Sequence, residues 1–567
     1  MWDKFKQIFS VDSVPFASIG GAKKWFSGIA NLDPAAKLAT YLQAYAENHS
    51  RITISPNYVA TMFVVDASLY DSFFFLREHY TQNPKMPKQM EEASWQQIVR
   101  YAEHQSNVWL HIVQSDFFDD LNEEARARSM SLVLRYINVI AKFYYFRFQP
   151  VPVHFWTLAH QVFRSAEMSE LEAQPLILHP DASAKEGPTS CTDEYLTLIM
   201  LNTLSSSGLT LRQIEMVDQW LHIWSKGVTL DKVFNPDKHH YAIDFSQQSG
   251  PQRIVSPLNS PSARYVDCND LLVQIDAARQ LIRNGGADVS KLGLPDTIRH
   301  PSAPELLNFL HAHWSDTDVS KKRRAPRVMV NKLLDVALGF KHAAALIKAD
   351  NIAQSGGEGK TDVDYDEMID MRLYGFVSQR TKERQAAAAK VVVEETREQV
   401  PFETWLMQDE SEGGFGVVLP FTRSGDDLKL GELLAIRLGE EENWHVATMR
   451  RVKQQENKHY FVGVQLLGVD PMIAMYRETT TKAMHYAATP SSVAVNFLLP
   501  KTAIFIPHGF QQRHSRTLLL QAEDFATGKI LELMVDGKMH AMELVKVIEK
   551  GIGWVWCEVS VLPMASA

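Results

Sequence analysis

The chain has 567 residues, 45% hydrophobic and 22% charged, enough for roughly three or four domains with cores of their own. Its 58 Lys and Arg against 67 Asp and Glu leave a net charge of -9, which argues against a protein built to coat nucleic acid or an anionic membrane. Cys191, Cys268 and Cys557 lie far apart and form no C-x-x-C, which excludes a disulfide framework and a zinc finger and fits a reducing compartment.

The opening MWDKFKQIFSVDSVPF lacks a basic stretch followed by a continuous apolar run, so no signal peptide is expected. The most apolar stretches are interrupted by Asp66 and Asp71 and by Arg135, Lys142 and Arg147, short of the ~20 apolar residues a membrane span needs. No transmembrane helix is predicted, and the expected location is the cytoplasm.

Apolar positions recur at three and four through the first 350 residues, which predicts helices. Asp33-Pro34 supplies an N-cap and first helical position ahead of Leu38, Tyr41, Leu42 and Tyr45, and Thr210 with Gln213 forms a capping box ahead of Ile214, Val217, Leu221 and Trp224. Further helical stretches fit 92–115, 123–147, 154–167, 270–284, 304–314 and 328–349. The segment 156–167 faintly resembles a tetratricopeptide helix, but no second copy follows at a fixed period, and it is read as core packing. Residues 174–193 and 234–265 carry several prolines and read as long surface excursions.

The stretch 353–367 has almost no apolar periodicity and reads as a linker, after which the period changes towards two. Strands are predicted at 373–377, 402–407, 415–419, 433–438, 444–450 and 460–467, enough for a small antiparallel barrel. A second strand-rich set is predicted at 493–498, 502–506, 517–521, 530–535, 542–548 and 554–561. The expected fold class is multidomain α + β. A large all-α domain over 1–350 leads through a linker at 351–367 to a six-stranded barrel over 368–470 and a second small β domain over 471–567. Trp554 and Trp556, two apart in the last strand, are read as core.

Several chemical motifs dissolve on inspection. GGEGKT at 356–361 lacks the first glycine of a phosphate loop and follows a helix rather than a strand. His239-His240 and His311/His313 have no carboxylate or cysteine companion at a recognised metal spacing, so no metal site is expected. The run Lys321-Lys322-Arg323-Arg324 could meet an acidic partner but reads as a solvated face. With no G-x-S-x-G, H-E-x-x-H or kinase motif, no catalytic residue is assigned and the chain is not expected to be an enzyme.

One constellation stands out. Arg380-x-x-x-Arg384 is followed by Asp409-x-Ser411-x-x-Gly414 at the start of the strand-rich region. Two arginines four apart can clamp phosphates bidentately and pair with the O6 and N7 acceptors of guanine. A carboxylate just after a strand can accept from guanine N1 and N2, a serine hydroxyl adds a short polar contact, and glycine lets a base approach the backbone.

These motifs, with GELL at 431–434, WHVATMRR at 444–451 and VGVQLL at 462–467, resemble a PilZ domain across about residues 372–470. The resemblance implies a six-stranded β-barrel that binds cyclic di-GMP at its outer edge through Arg380, Arg384, Asp409, Ser411, Gly413 and Gly414. Glu383, Glu410 and Glu412 lie close to this site and oppose a dianion if they point inward. The expectation is a bacterial cyclic di-GMP receptor that passes its state to an unidentified protein partner through the helical domain, without nucleic-acid binding or membrane insertion. The alternative is a nucleotide-independent interaction scaffold in which the barrel is structural.

Overall fold

The computed structural model describes residues 14–354 and 399–562, together with Gln379 and Glu383, except for 84–85, 184–185, 206–207, 285–291, 316–326, 412, 420–427, 440–442, 456–458, 479–500, 508–515 and 536–537. The chain divides into two compact units, Met1–Lys322 and Arg323–Ala567. The sequence-based boundary at 350 therefore falls inside the second unit.

The first unit contains α1 (Ile19–Gly28), α2 (Pro34–Asn48), α3 (Pro56–Gln82), α4 (Lys88–Val113), α5 (Glu123–Phe146), α6 (Val153–Met168), α7 (Cys191–Thr203), α8 (Leu211–Trp224), α9 (Asn269–Arg283) and α10 (Ala303–Trp314). Asp33 caps α2 by accepting from the Ala36 amide, and Thr210 and Gln213 close the capping box of α8, as their spacing predicts. α5 runs through the centre with both faces buried, from Ala127 to Phe146. Its buried cations Arg135 and Lys142 are held in ion pairs with Glu194 and Asp218.

The unit is not all helix. Residues 234–265, expected as a surface excursion, carry most of a four-stranded sheet. Its strands are β1 (Thr229–Asp231), β2 (His239–Asp244), β3 (Gln252–Arg253) and β4 (Ala263–Asp267), in the order β1-β4-β2-β3. Strands of two and three residues between prolines leave too little alternation to be seen in sequence.

α3 is long and apolar enough to cross a membrane by length and composition alone, contrary to the expectation of no such helix. Its middle is occupied by core groups. Asp66 is fully buried and accepts from the hydroxyl of Tyr136 and from Nε2 of His179 at 3.1 Å.

His179 sits in the segment before α7, stacked on Tyr70 with ring centroids 3.9 Å apart, and its Nδ1 lies 3.4 Å from Glu186. Burial alone would depress its pKa, but hydrogen bonds and charge from Asp66 and Glu186 reverse the sign and hold it above the ordinary histidine value. A raised folded-state pKa gives stability that is fully present below the unfolded value of about 6.5 and is lost as pH rises through the folded one. The stability difference between the native protein and His179→Gln should therefore shrink as pH is raised from 6 upward. A urea-unfolding series across pH checks this, and a difference that grows with pH contradicts it.

The second unit opens with β5 (Val328–Leu338) and α11 (Phe340–Gln354), where the sequence periodicity predicts one helix over 328–349. A bulge between Met329 and Lys332 breaks the alternation of β5. Gly339, at φ +88, turns the chain directly from strand into helix in a left-handed conformation that disfavours side chains. β5 joins β6 (Glu403–Ser411), β7 (Gly414–Val418), β8 (Leu433–Leu438), β9 (His445–Gln454) and β10 (Tyr460–Gly468) in a closed antiparallel barrel. The barrel's first strand is thus β5; the predicted strand at 373–377 lies outside the described residues.

A second closed antiparallel barrel follows from β11 (Met472–Glu478), β12 (Lys501–Ile506), β13 (Thr517–Gln521), β14 (Ile530–Val535), β15 (Lys538–Lys550) and β16 (Trp554–Leu562). β11 has no counterpart among the predicted strands, and the predicted strand at 493–498 lies outside the described residues. Numbering the six strands of each barrel in chain order, the first pairs with the second, the second with the third, the third with the sixth, the sixth with the fifth, the fifth with the fourth and the fourth with the first, in both. The C-terminal barrel repeats the connectivity of the one before it.

The two barrels share a core. Ala343, Leu346 and Ile347 of α11 pack with Leu433, Trp444 and Val446 of the first barrel and with Ile504, Trp554 and Trp556 of the second. Polar ties finish the joint. Asp350 accepts from the Trp444 amide at 2.6 Å, and Asn351 exchanges hydrogen bonds with the backbone at Pro471 and Ile473.

Candidate functional site

The D-x-S-x-x-G motif forms the end of β6, the turn and the start of β7. Ser411 donates its hydroxyl to the Gly414 carbonyl at 3.1 Å, and the Gly413 carbonyl accepts from the Leu466 amide at 3.1 Å, which fastens the turn to β10. A Cβ on Gly414 would overlap the Val464 carbonyl oxygen, so only glycine fits there.

Asp409 pairs with Met329 on one side and Gly416 on the other, just past a bulge in β6. Gly416 pairs in turn with Gly463, and Gly463 with Arg451. Directly paired residues share a face of the sheet, so one row across the outside of the barrel reads Met329, Asp409, Gly416, Gly463, Arg451. Two adjacent glycines give this row a bare backbone floor with a carboxylate at one side and a guanidinium at the other. A Cβ on Gly416 would stand 2.5 and 2.6 Å from the Asp409 carboxylate oxygens and 2.6 Å from Cζ of Phe461. The Asp409 carboxylate and the Phe461 ring therefore lean over the same glycine.

Cations lie at or near the floor. Arg327, immediately before β5, donates Nη1 to Asp409 Oδ1 at 2.5 Å, and Lys332 pairs with Glu410 at 3.0 Å. Arg451 and Lys453 are exposed on β9. Of the three acids expected to oppose a dianion, Glu410 is met by Lys332. Glu383 accepts from Gln379 at 3.3 Å on an exposed stretch, and Glu412 lies outside the described residues. Further along the same face, Arg450 donates Nε to Gln465 Oε1 at 2.5 Å and pairs with Glu549 of the second barrel. The cross-strand partner of Gln465 on β7 is Gly414.

The structure thus brings together Asp409, Ser411, Gly413 and Gly414. Arg380 and Arg384 lie outside the described residues. Sequence reasoning missed Arg327, although a signal was present. Arg323-Arg324-Ala325-Pro326-Arg327 has the same R-x-x-x-R spacing and directly precedes the barrel's first strand. Reading the following segment as a helix assigned Arg327 to the helical domain and away from Asp409.

Elsewhere, Asp231, His239 and Asp267 bring ligand-type atoms within 4.8 Å of one another, carboxylate companions that only the β1–β4–β2 pairing supplies. The Asn235 amide donates to His239 Nδ1 at 2.8 Å, so the ring proton resides on Nε2 and donates to Asp231 at 3.0 Å. With the ring's lone pair already used, the cluster reads as a hydrogen-bonded tie of the sheet. The three cysteines are buried and free, and burial pushes each thiol up to about 12, so none is a ready nucleophile.

The first barrel is thus a closed six-stranded barrel with a glycine-floored outer face, a carboxylate against it and arginines beside it. Residues 20–237 match the model for the N-terminal domain of the cyclic-di-GMP receptor FimW, and residues 347–470 match the model for its middle PilZ domain. Together these cover more than half of the chain, and the chain belongs to the FimW family of cyclic-di-GMP receptors. The PilZ match begins within α11, after β5, and neither model extends over the C-terminal barrel. No curated protein and no solved structure matches the chain.

Proposed function

We propose that cyclic di-GMP binds on the outer face of the first barrel, with Asp409 reading the guanine N1 and N2 donors, Ser411 and the Gly413-Gly414 turn holding the base edge, and Arg380 and Arg384 reaching the phosphates and guanine faces. The observation that carries this reading is the Asp409 carboxylate lying against Gly416, beside Gly463, with cations on both sides. The set is a clamp with no nucleophile or general base aimed at a phosphodiester, which supports a receptor rather than an enzyme. The C-terminal barrel shares the strand order but has no D-x-S-x-x-G between its second and third strands, so one site per chain is expected. The output passes by linkage to a protein partner through the helical unit, in the cytoplasm, with neither nucleic acid nor membrane insertion required.

The Arg327–Asp409 pair favours one other reading, a scaffold in which this carboxylate is a structural ion pair and the barrel holds no nucleotide. Calorimetric titration of the intact protein separates them. The receptor predicts one saturable cyclic di-GMP site per chain, weak or no binding of cyclic di-AMP, and a melting temperature that rises with nucleotide, stabilisation reaching about 2.7 kcal/mol at a hundredfold excess over Kd. No heat and no shift at saturating nucleotide would leave the scaffold.

A further inference from the structure

We propose that Arg327 is a ligand arginine of this site, stored on Asp409 until the nucleotide takes its place. The proposal rests on the receptor reading above and deepens it.

A guanine edge presents N1–H and N2–H side by side and engages both oxygens of a carboxylate. Among the described residues, Arg327 is the cation that meets Asp409, its Nη1 holding Oδ1 at 2.5 Å; the Asp409 side chain is 14% exposed and that of Arg327 33%. Guanine donors that approach both oxygens compete with Arg327 for Oδ1. The exchange replaces one set of donors by another, so the largely buried carboxylate is never left without a partner, the condition that would make it costly. The displaced guanidinium is left beside a ligand carrying two phosphates, on the outer face of the barrel, and a planar fork with a permanent charge pairs bidentately with phosphate oxygens.

Position supports the assignment. Arg327 precedes the strand that pairs with β6, and the Val328↔Glu410 and Met329↔Asp409 register brings it to the end of β6 where the motif begins. The neighbouring acid, Glu410, is already occupied by Lys332.

The test is titration of cyclic di-GMP into the intact protein and into Arg327→Ala, Arg327→Lys and Asp409→Ala, at low and high salt, with melting temperatures recorded without nucleotide. Arg327→Ala should bind about tenfold or more weakly at low salt, Arg327→Lys should fall between it and the native protein, and the gap should narrow as salt screens the phosphate contact. Preference for guanine over adenine should persist in Arg327→Ala, because Asp409 remains. A purely structural role for Arg327 would lower the melting temperature without a salt-dependent gap. Unchanged or tighter binding in Arg327→Ala would overturn the proposal, since Arg327 would then be only a cover on Asp409. Native affinity in Asp409→Ala would instead show that the underlying site assignment is wrong.

Discussion

Arg135→Ala is expected to lower the stability of the helical unit by about 3–5 kcal/mol, the cost of breaking a buried ion pair by removing one partner. Arg135 is 5% exposed on the central helix α5, donates to both oxygens of Glu194 at 2.8 and 2.7 Å, and also pairs with Glu186. Glu194 is 1% exposed and accepts further hydrogen bonds from Thr189 and Asn138. Alanine would strand that carboxylate with neutral donors only. Urea unfolding followed by helical circular dichroism measures the loss. Arg477→Ala, which removes an exposed pair with Glu532, serves as the control and should cost no more than about 1 kcal/mol. Equal losses in the two variants would contradict the account of α5 as an ion-paired core helix.

Trp554→Ala should cost the second unit a similar 3–5 kcal/mol, the usual range for removing a large buried aromatic. Trp554 is fully buried between the barrels, and its Nε1 donates to the Gly431 carbonyl of the first barrel at 2.9 Å. Gly551 has no room for a Cβ, which would overlap the Trp554 ring. Because Trp554 belongs to the core common to both barrels, the variant should also uncouple them, with two unfolding transitions where the native unit shows one. A loss below about 1 kcal/mol with a single transition retained would mean that the shared core does not join the barrels.

Much of the helical unit was legible because amphipathic periodicity and capping residues act locally. Asp33, Thr210 and Gln213 specify helix starts whatever surrounds them. The small sheet at β1–β4 was not, because its pairing is non-local and its strands too short to show a period. β5 failed for a different reason. Its bulge disrupts the two-residue alternation, Leu333, Leu334, Val336 and Ala337 imitate a helical spacing, and the real helix follows after Gly339 alone. That single misreading moved the domain boundary, hid the true first strand of the barrel, and detached Arg327 from the site it touches. The turn that carries Asp409, Ser411 and Gly414 was legible because its spacing is local. The glycine floor was not, since Gly416 and Gly463 meet only through strand pairing. Trp554 and Trp556 are core, as expected, though of a joint between barrels that no local pattern encodes.

The central claim, that the face carrying Asp409 holds cyclic di-GMP, is tested most directly by comparing equilibrium binding of the nucleotide to the native protein and to Asp409→Ala with its fold verified by melting temperature. The account predicts saturable, guanine-specific binding at one site per chain in the native protein, reduced at least about tenfold in the variant. Undiminished binding by Asp409→Ala would place the nucleotide elsewhere on the molecule.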